Sequence, residues 1–177
     1  MELPKGYTIR RFRPEDLPRL LEITDATFGP VSIDGNMERL LGPFSPGGWR
    51  ARKREAIAED CRAQPDGVYV AVDPRGAVAG YVTTRLNPAT SVGWVPNLAV
   101  DPAHQRAGLG RALLAHALER MRQAGMRVAR IETLEQNPVG QKLYPRLGFR
   151  EVARQIHYAM RLDGAGGEES GGSSSES

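Results

Sequence analysis

The sequence predicts an α/β or α+β domain built on a mixed sheet flanked by helices. Short apolar runs of strand length are bounded by Gly, Pro and Asp turns, and longer segments repeat their apolar residues at helical spacing. The two kinds alternate along 177 residues in the order β-α-α-β-β-β-α-β-α-β-β, the pattern of an α/β or α+β domain with a mixed sheet.

Tyr7 to Phe12 reads as the first strand, and Pro14-Glu15-Asp16 opens a helix carrying Leu17, Leu20, Leu21 and Phe28. From Gly29 to Gly48 the chain is rich in Gly and Pro, with room for a short helix over Met37 to Leu41. Trp49 to Arg62 reads as a strongly charged helix. Val68 to Val72 and Val78 to Asn87 form a hairpin around the tight turn Asp73 to Gly76. Gly93 to Val100 is a further strand. Leu109 to Ala124 is a helix with Leu114, Ala117, Leu118 and Met121 on one face and Gly125 as its stop. Val128 to Leu134 is the next strand. Asn137 caps a helix with Pro138 in its first turn and Val139, Leu143 and Leu147 along one stripe, ended by Gly148. Phe149 to Val152 and Gln155 to Leu162 are expected as the last strands.

The length suits one domain, expected over residues 1–162. The Gly, Ser and Glu tail from Asp163 to Ser177 has no large apolar residue to anchor it and is expected to be disordered. All 24 Lys and Arg precede that tail while four of the 21 acids lie in it, so the body carries +7. Such a surplus favours an anionic ligand without naming one. There is no helix-turn-helix pattern, aromatic-rich basic stripe or RNA-binding signature, so nucleic acid is not expected as a partner. No apolar run reaches membrane-spanning length and the first residues offer no signal peptide; a cytoplasmic protein without a membrane partner, monomer or homodimer, is expected. Cys61 is the only cysteine, which excludes an internal disulfide and a Cys-rich metal site; it reads as a half-buried helix residue, and no metal is expected.

The segment Asn97-Leu98-Ala99-Val100-Asp101-Pro102-Ala103-His104-Gln105-Arg106-Ala107-Gly108-Leu109-Gly110-Arg111 runs from an apolar strand through a loop into a helix. A helix N-terminus leaves amides without carbonyl partners and concentrates partial positive charge, which makes such a junction an anion site. Gly108 and Gly110 remove Cβ atoms that would hold a phosphate away, and Arg106 and Arg111 add charge. A Walker loop would need Gly-Lys-Ser/Thr where Gly110-Arg111-Ala112 stands; the dinucleotide fingerprint needs a small residue where Leu113 stands. A plain glycine turn before an amphipathic helix is the remaining alternative.

Gln105-Arg106-Ala107-Gly108-Leu109-Gly110 resembles the Gln/Arg-x-x-Gly-x-Gly/Ala signature of the GNAT superfamily of acetyl-CoA-dependent N-acetyltransferases, and Asn97 to Pro102 resembles the strand and loop before it. Asn137-Pro138-Val139-Gly140-Gln141-Lys142-Leu143-Tyr144-Pro145-Arg146-Leu147-Gly148-Phe149 is similar to the family's Asn-x-x-Ala-x-x-Leu-Tyr-x-x-x-Gly-Phe segment, with Gly140 for the usual Ala. The resemblance covers roughly residues 93 to 150. It implies a mainly antiparallel mixed sheet whose two parallel strands splay apart, with pantetheine of acetyl-CoA in the gap. It also implies a cofactor site of Leu98, Ala99, Val100, Gln105, Arg106, Ala107, Gly108, Leu109, Gly110, Arg111, Asn137 and Tyr144.

By the same resemblance Tyr144 is the general acid toward the departing thiolate, its alternative role being to pack the helix onto the sheet. Glu132 stands at a spacing from Asn137 shared with the ribosomal-protein-alanine acetyltransferases and is the candidate base. Glu135 competes with it, and pairing with Arg130 is the structural alternative. The family's acceptor groove points to Phe28 through Trp49 and to Gln155-Ile156-His157-Tyr158. Phe44 and Trp49 either line it or pin the loop to the core, and His157 is expected as a strand wall residue. His104 and His116 are expected to be exposed. The acceptor is an amine on a small molecule or a protein: a protein N-terminus, a lysine or a small amine. The alternative is a non-catalytic acyl-CoA sensor.

Overall fold

In the computed structural model, which describes residues 3–164, five strands join in chain order into one sheet. They are β1 (Thr8–Arg11), β2 (Val68–Val72), β3 (Val78–Asn87), β4 (Val92–Val100) and β5 (Val128–Ile131). Neighbours are antiparallel except β4 and β5, which run parallel because a whole helix lies between them. The mixed, mainly antiparallel sheet is the one the sequence predicts. Its β2–β3 turn is closed by the Asp73 carboxylate, which accepts the amides of Arg75 and Ala77, both at 2.9 Å.

β2 and most of β3 are buried on both sides, so the apolar residues of the sheet divide between two cores. Val68, Val70, Val72, Val78 and Tyr81 meet Leu20 and Ile23 of α1 (Leu17–Thr27) and Ile57 and Cys61 of α3 (Gly48–Ala63). On the opposite face Ala71, Ala79, Val82 and Val95 meet Leu109, Leu113, Leu114, Ala117 and Met121 of α4 (Leu109–Gln123). Leu143 and Tyr144 of α5 (Pro138–Arg146) and Leu147 just after it pack partly against the same core, while Val139, expected on that stripe, is exposed.

Asp16, almost fully buried, ties β1 to the start of α1. Its carboxylate receives both Arg10 guanidinium nitrogens, at 2.6 and 2.8 Å, and the Arg13 amide at 2.8 Å. Burial works against its charge, but these bonds outweigh it and hold the carboxyl below its usual range. Ser32 starts α2 (Ile33–Leu41) by accepting the Gly35 amide at 3.0 Å. The helix expected from Met37 therefore begins one turn earlier.

Other expectations are corrected. The strand placed over Val128 to Leu134 stops at Ile131, because β4 parts from it there and a strand without a neighbour has no ladder. Neither Phe149 to Val152 nor Gln155 to Leu162 forms a strand, although Ile156, Tyr158, Met160 and Leu162 alternate as one would. Among the described residues no strand lies beside that stretch to pair with it, and its contacts are made by side chains. Arg161 donates to the Leu41 carbonyl at 3.0 Å and pairs with Asp163, and Arg154 pairs with Glu151 and Glu135. His157 is consequently exposed instead of forming a wall. His104 and His116 are half-buried, not exposed: the first bonds the Tyr7 hydroxyl at 2.8 Å and the second stacks edge-on against Tyr69. Of the tail expected to be disordered, all but Asp163 and Gly164 lies outside the described residues.

Cys61 is buried, not half-buried, and its burial beside the Asp60 charge pushes the thiol up to about 11, against an ordinary value of 9.0. Because the folded state favours the protonated thiol, its contribution to stability is complete below pH 9. It fades as the pH rises toward 11. Native protein is expected to resist thiol reagents at pH 8 and to react once unfolded in urea; rapid labelling of the native state would contradict this burial.

Candidate active site

The site begins where β4 outlasts β5. Val92 to Val95 pair with Val128 to Ile131, and beyond them Pro96 to Val100 have no neighbour on that side. The break coincides with a bulge on the other edge. Between the pairs Thr83–Asn97 and Arg85–Trp94, β4 takes three steps against two of β3, with Pro96, which has no N–H to leave unpaired, inside the bulge. The Asp101 amide donates to the Ala79 carbonyl at 2.9 Å, so by antiparallel alternation the backbone groups of Leu98 and Val100 face the gap. The Val100 carbonyl there accepts Gln105 Nε2 at 3.0 Å. Ala99 lies between them with its side chain in the core beneath α1.

Past Val100 the chain turns through Asp101, whose carboxylate accepts the Ala103 amide at 2.7 Å and pairs with Arg19. Arg106 then takes φ +65° and Gly108 φ +86°, a left-handed geometry that only glycine adopts without cost. Among the turn, loop and cap hydrogen bonds of the described residues, none uses the amides of residues 106–111; the first engaged is Ala112, which donates to Gly108 at 3.0 Å. A Cβ built on Gly108 would meet nothing within 4 Å, and one on Gly110 would touch only Val100 and Leu143 at 3.7 and 3.9 Å. The space above these amides is therefore open. Arg106 and Arg111 are exposed beside it, without an ion pair among the described residues. Free amides at the start of a 15-residue helix, open space and unspent positive charge fit a pyrophosphate.

On the other side of the gap Asn137 caps α5: its side chain accepts the Gly140 amide at 3.2 Å and donates to Thr133 Oγ1 at 3.0 Å. Gly140 must be small, since a Cβ there would come within 2.7 Å of Thr133 Oγ1 and 3.1 Å of Tyr144 Cε2. Tyr144 stands edge-on to Phe149, with 6.1 Å between ring centroids. Burial raises its phenol above the ordinary range and a hydrogen bond with Thr133 offsets part of this, so the hydroxyl is protonated at neutral pH. Thr133, which sequence reasoning passed over, thus contacts both Asn137 and Tyr144.

Glu132 follows directly on β5. Its carboxylate accepts Trp94 Nε1 at 2.5 Å and lies 3.5 Å from Arg130 Nε, so the Arg130 pairing exists and Trp94 is an unforeseen second partner. The guanidinium groups of Arg130 and Arg85 sit over the Trp94 ring at 4.8 and 5.7 Å. Glu135 is exposed and paired with Arg154 at 3.3 Å.

The layer of α1, α2 and α3 brings a polar network to the back of β4. Asn97 donates to Asp60 Oδ2 at 2.7 Å and Thr83 Oγ1 at 3.1 Å, and accepts Lys53 Nζ at 2.8 Å. Arg85 Nε donates to Asp60 at 3.0 Å. The sequence carries a signal for this group that was not used: Asp60 shares the buried face of a charged helix with Ile57 and Cys61. Farther out, Asn36 and Gln136 exchange amide hydrogen bonds at 3.1 and 2.7 Å, and Gln136 also donates to the Pro30 carbonyl at 2.8 Å. These bonds join α2 to the loop after β5. Trp49 pins the neighbouring loop, lying where a Cβ on Gly29 would approach it to 2.8 Å, and Phe44 lies under the Arg52 guanidinium at 4.1 Å.

The Acetyltransferase (GNAT) family model matches residues 35–149, which include the amide cradle, the gap and α5. The chain belongs to this family. It is 31% identical over 161 residues to the mycothiol acetyltransferase of Segniliparus rotundus, covering 88% of this chain and 56% of that protein. It is 40% identical over 91 residues to the ribosomal protein bS18-alanine N-acetyltransferase of Escherichia coli, covering 50% and 59%. The crystal structure of the E. coli ribosomal-protein-S18-alanine N-acetyltransferase superposes with a TM-score of 0.63 at 25% identity, over 90% of this chain and 88% of that one. The chain spans about half the length of the curated mycothiol acetyltransferases it matches. Among the described residues no helix is long and apolar enough to cross a membrane, and no three His, Cys, Asp or Glu side chains gather as a metal site.

The buried network makes a stability prediction. Asp60→Ala removes one acceptor of the Asn97 amide and the partner of Arg85, and is expected to lower unfolding free energy by about 1–3 kcal/mol in urea titrations. A loss below a few tenths would mean that water replaces the carboxylate.

Proposed function

We propose that this protein transfers the acetyl group of acetyl-CoA to a primary amine by direct attack in a ternary complex. The observation that carries the reading is the continuity of the unengaged amides at residues 106–111 with the free edge of β4 at Leu98 and Val100. One end suits a pyrophosphate and the other suits an extended chain of amides, the two polar parts of a single CoA molecule. The family and the names of its relatives support the same choice.

In this reading Gln105 gives up the Val100 carbonyl as pantetheine pairs along β4, Asn137 contacts the pantetheine arm, and Arg106 and Arg111 face the phosphates. The neutral amine attacks the thioester carbonyl, the C–S bond breaks, and an N-acetyl amine and free CoA thiol result. Tyr144 supplies the proton that the leaving thiolate takes up; its half-buried, protonated hydroxyl suits that role. Glu132 takes the proton lost by the amine, directly or through water, with Trp94 holding its carboxylate. Cys61 takes no part, being buried in the core under α3.

CoA is expected to raise the melting temperature of the protein and to bind Gly108→Val at least about tenfold more weakly, because a side chain there fills the phosphate position. Wild-type affinity in that variant, with the fold intact by circular dichroism, would leave only a glycine turn. Tyr144→Phe is expected to keep CoA affinity and to lower kcat by about 10²-fold or more, with partial recovery on a thioester of better leaving group. An unchanged rate would remove Tyr144 as the acid, and the absence of turnover on any amine by the wild type would favour an acyl-CoA sensor.

A further inference from the structure

We propose that Lys53 selects the acceptor: its ammonium group receives a carboxylate carried on the same small molecule as the amine that is acetylated. The inference rests on the acetyl-transfer reading, since it concerns the opposite side of the same gap. Among the cations of α3, Arg50 is exposed and lies over the Trp49 ring at 4.8 Å, without a carboxylate among the described residues, whereas Lys53 is half-buried. Arg52 is paired with Asp34 and Glu38 at 3.2 and 3.3 Å, Arg54 with Asp25 at 3.4 Å and Arg62 with Glu55 at 2.6 Å. Lys53 has no carboxylate within salt-bridge distance among the described residues. Its Nζ donates once, to Asn97 Oδ1 at 2.8 Å, and lies 4.5 Å above the centre of the Phe28 ring.

That single bond fixes where the charge sits. Asn97 is turned by its two donations to Asp60 and Thr83, so its oxygen has to face α3 and hold the lysine. Asp60 is paired with Arg85, which leaves Lys53 without a carboxylate in contact and with two hydrogens to give. Asn97 belongs to the part of β4 that has no β5 neighbour, so this charge stands beside the gap, on the α1–α3 side of the sheet. Burial lowers the pKa of Lys53 and the more distant Asp34 and Asp60 raise it only in part. A bound carboxylate would restore the partner that burial makes the ammonium lack. A monoanion is the matching charge for one free ammonium.

One free ammonium beside the gap matches a small amine that carries a single carboxylate, an amino acid being the simplest.

The test is steady-state thiol release from acetyl-CoA with free amino acids, their carboxamides and the corresponding decarboxylated amines, using wild type, Lys53→Met and Lys53→Arg, with CoA affinity measured by calorimetry. Wild type is expected to favour the acids at least about tenfold in kcat/KM, Lys53→Met to abolish that preference by raising KM for the acids alone, and Lys53→Arg to keep part of it. CoA affinity should be equal in all three proteins, and thermal melts report whether each is folded. Equal use of acids and carboxamides by wild type, or a preference that survives in Lys53→Met, overturns the inference. It also falls if CoA binds but only amines without a carboxylate are acetylated. A wild type that binds no CoA overturns the acetyl-transfer reading itself.

Discussion

The architecture turns on one unmet requirement: β4 carries five residues past the last one that β5 pairs with. A buried strand cannot leave its amides and carbonyls idle, so a half-edge in the middle of a sheet needs either a ligand or a local substitute. The Gln105 side chain, lying on the Val100 carbonyl, is such a substitute at one position. The loop that supplies Gln105 also supplies the amides of residues 106–111. One departure of backbone from regularity thus sets the position of both halves of the cleft.

Keeping that edge straight falls to the layers behind it. On one face α4 presses Leu109, Leu113 and Leu114 into the sheet at 0–1% exposure, fixing the start of the helix relative to β4. On the other, Asn97 is gripped through Asp60, Thr83 and Lys53, next to the bulge at Pro96. Polar groups this deep in a sheet cost stability unless all are satisfied, and their geometry is correspondingly specific. Gly80 completes the arrangement: a Cβ there would stand 2.8 Å from the Ala99 carbonyl oxygen, so β3 can lie close to β4 only without one.

Much of this was legible in the sequence where local chemistry decides the outcome. Val68–Val72, Val78–Asn87 and the start of α4 follow from alternation, turn residues and glycine stops, and Asn137 caps α5 as its type and the following Pro138 suggest. The sequence was silent where distant partners decide. β5 ends at Ile131 because of what β4 does, and nothing within Val128 to Leu134 announces it. Residues 155–162 have the pattern of a strand without an edge that receives them. Tyr144 and Asn137 stand out in the sequence through the motif they resemble, but Thr133, which touches both, and Trp94, which holds Glu132, belong to no motif and emerge only when the chain is folded.

The span between Asn36 and Gln136 has a property that its neighbours lack. Both partners are neutral amides, with nothing for salt to screen and nothing to titrate at ordinary pH. The cradle at residues 106–111 attracts through charge and dipoles, which ionic strength weakens at its exposed rim. The two ends of the cleft therefore answer to different features of the medium. Added salt would weaken the pull of the cradle on any anion, while the Asn36–Gln136 bracing would stay as it was.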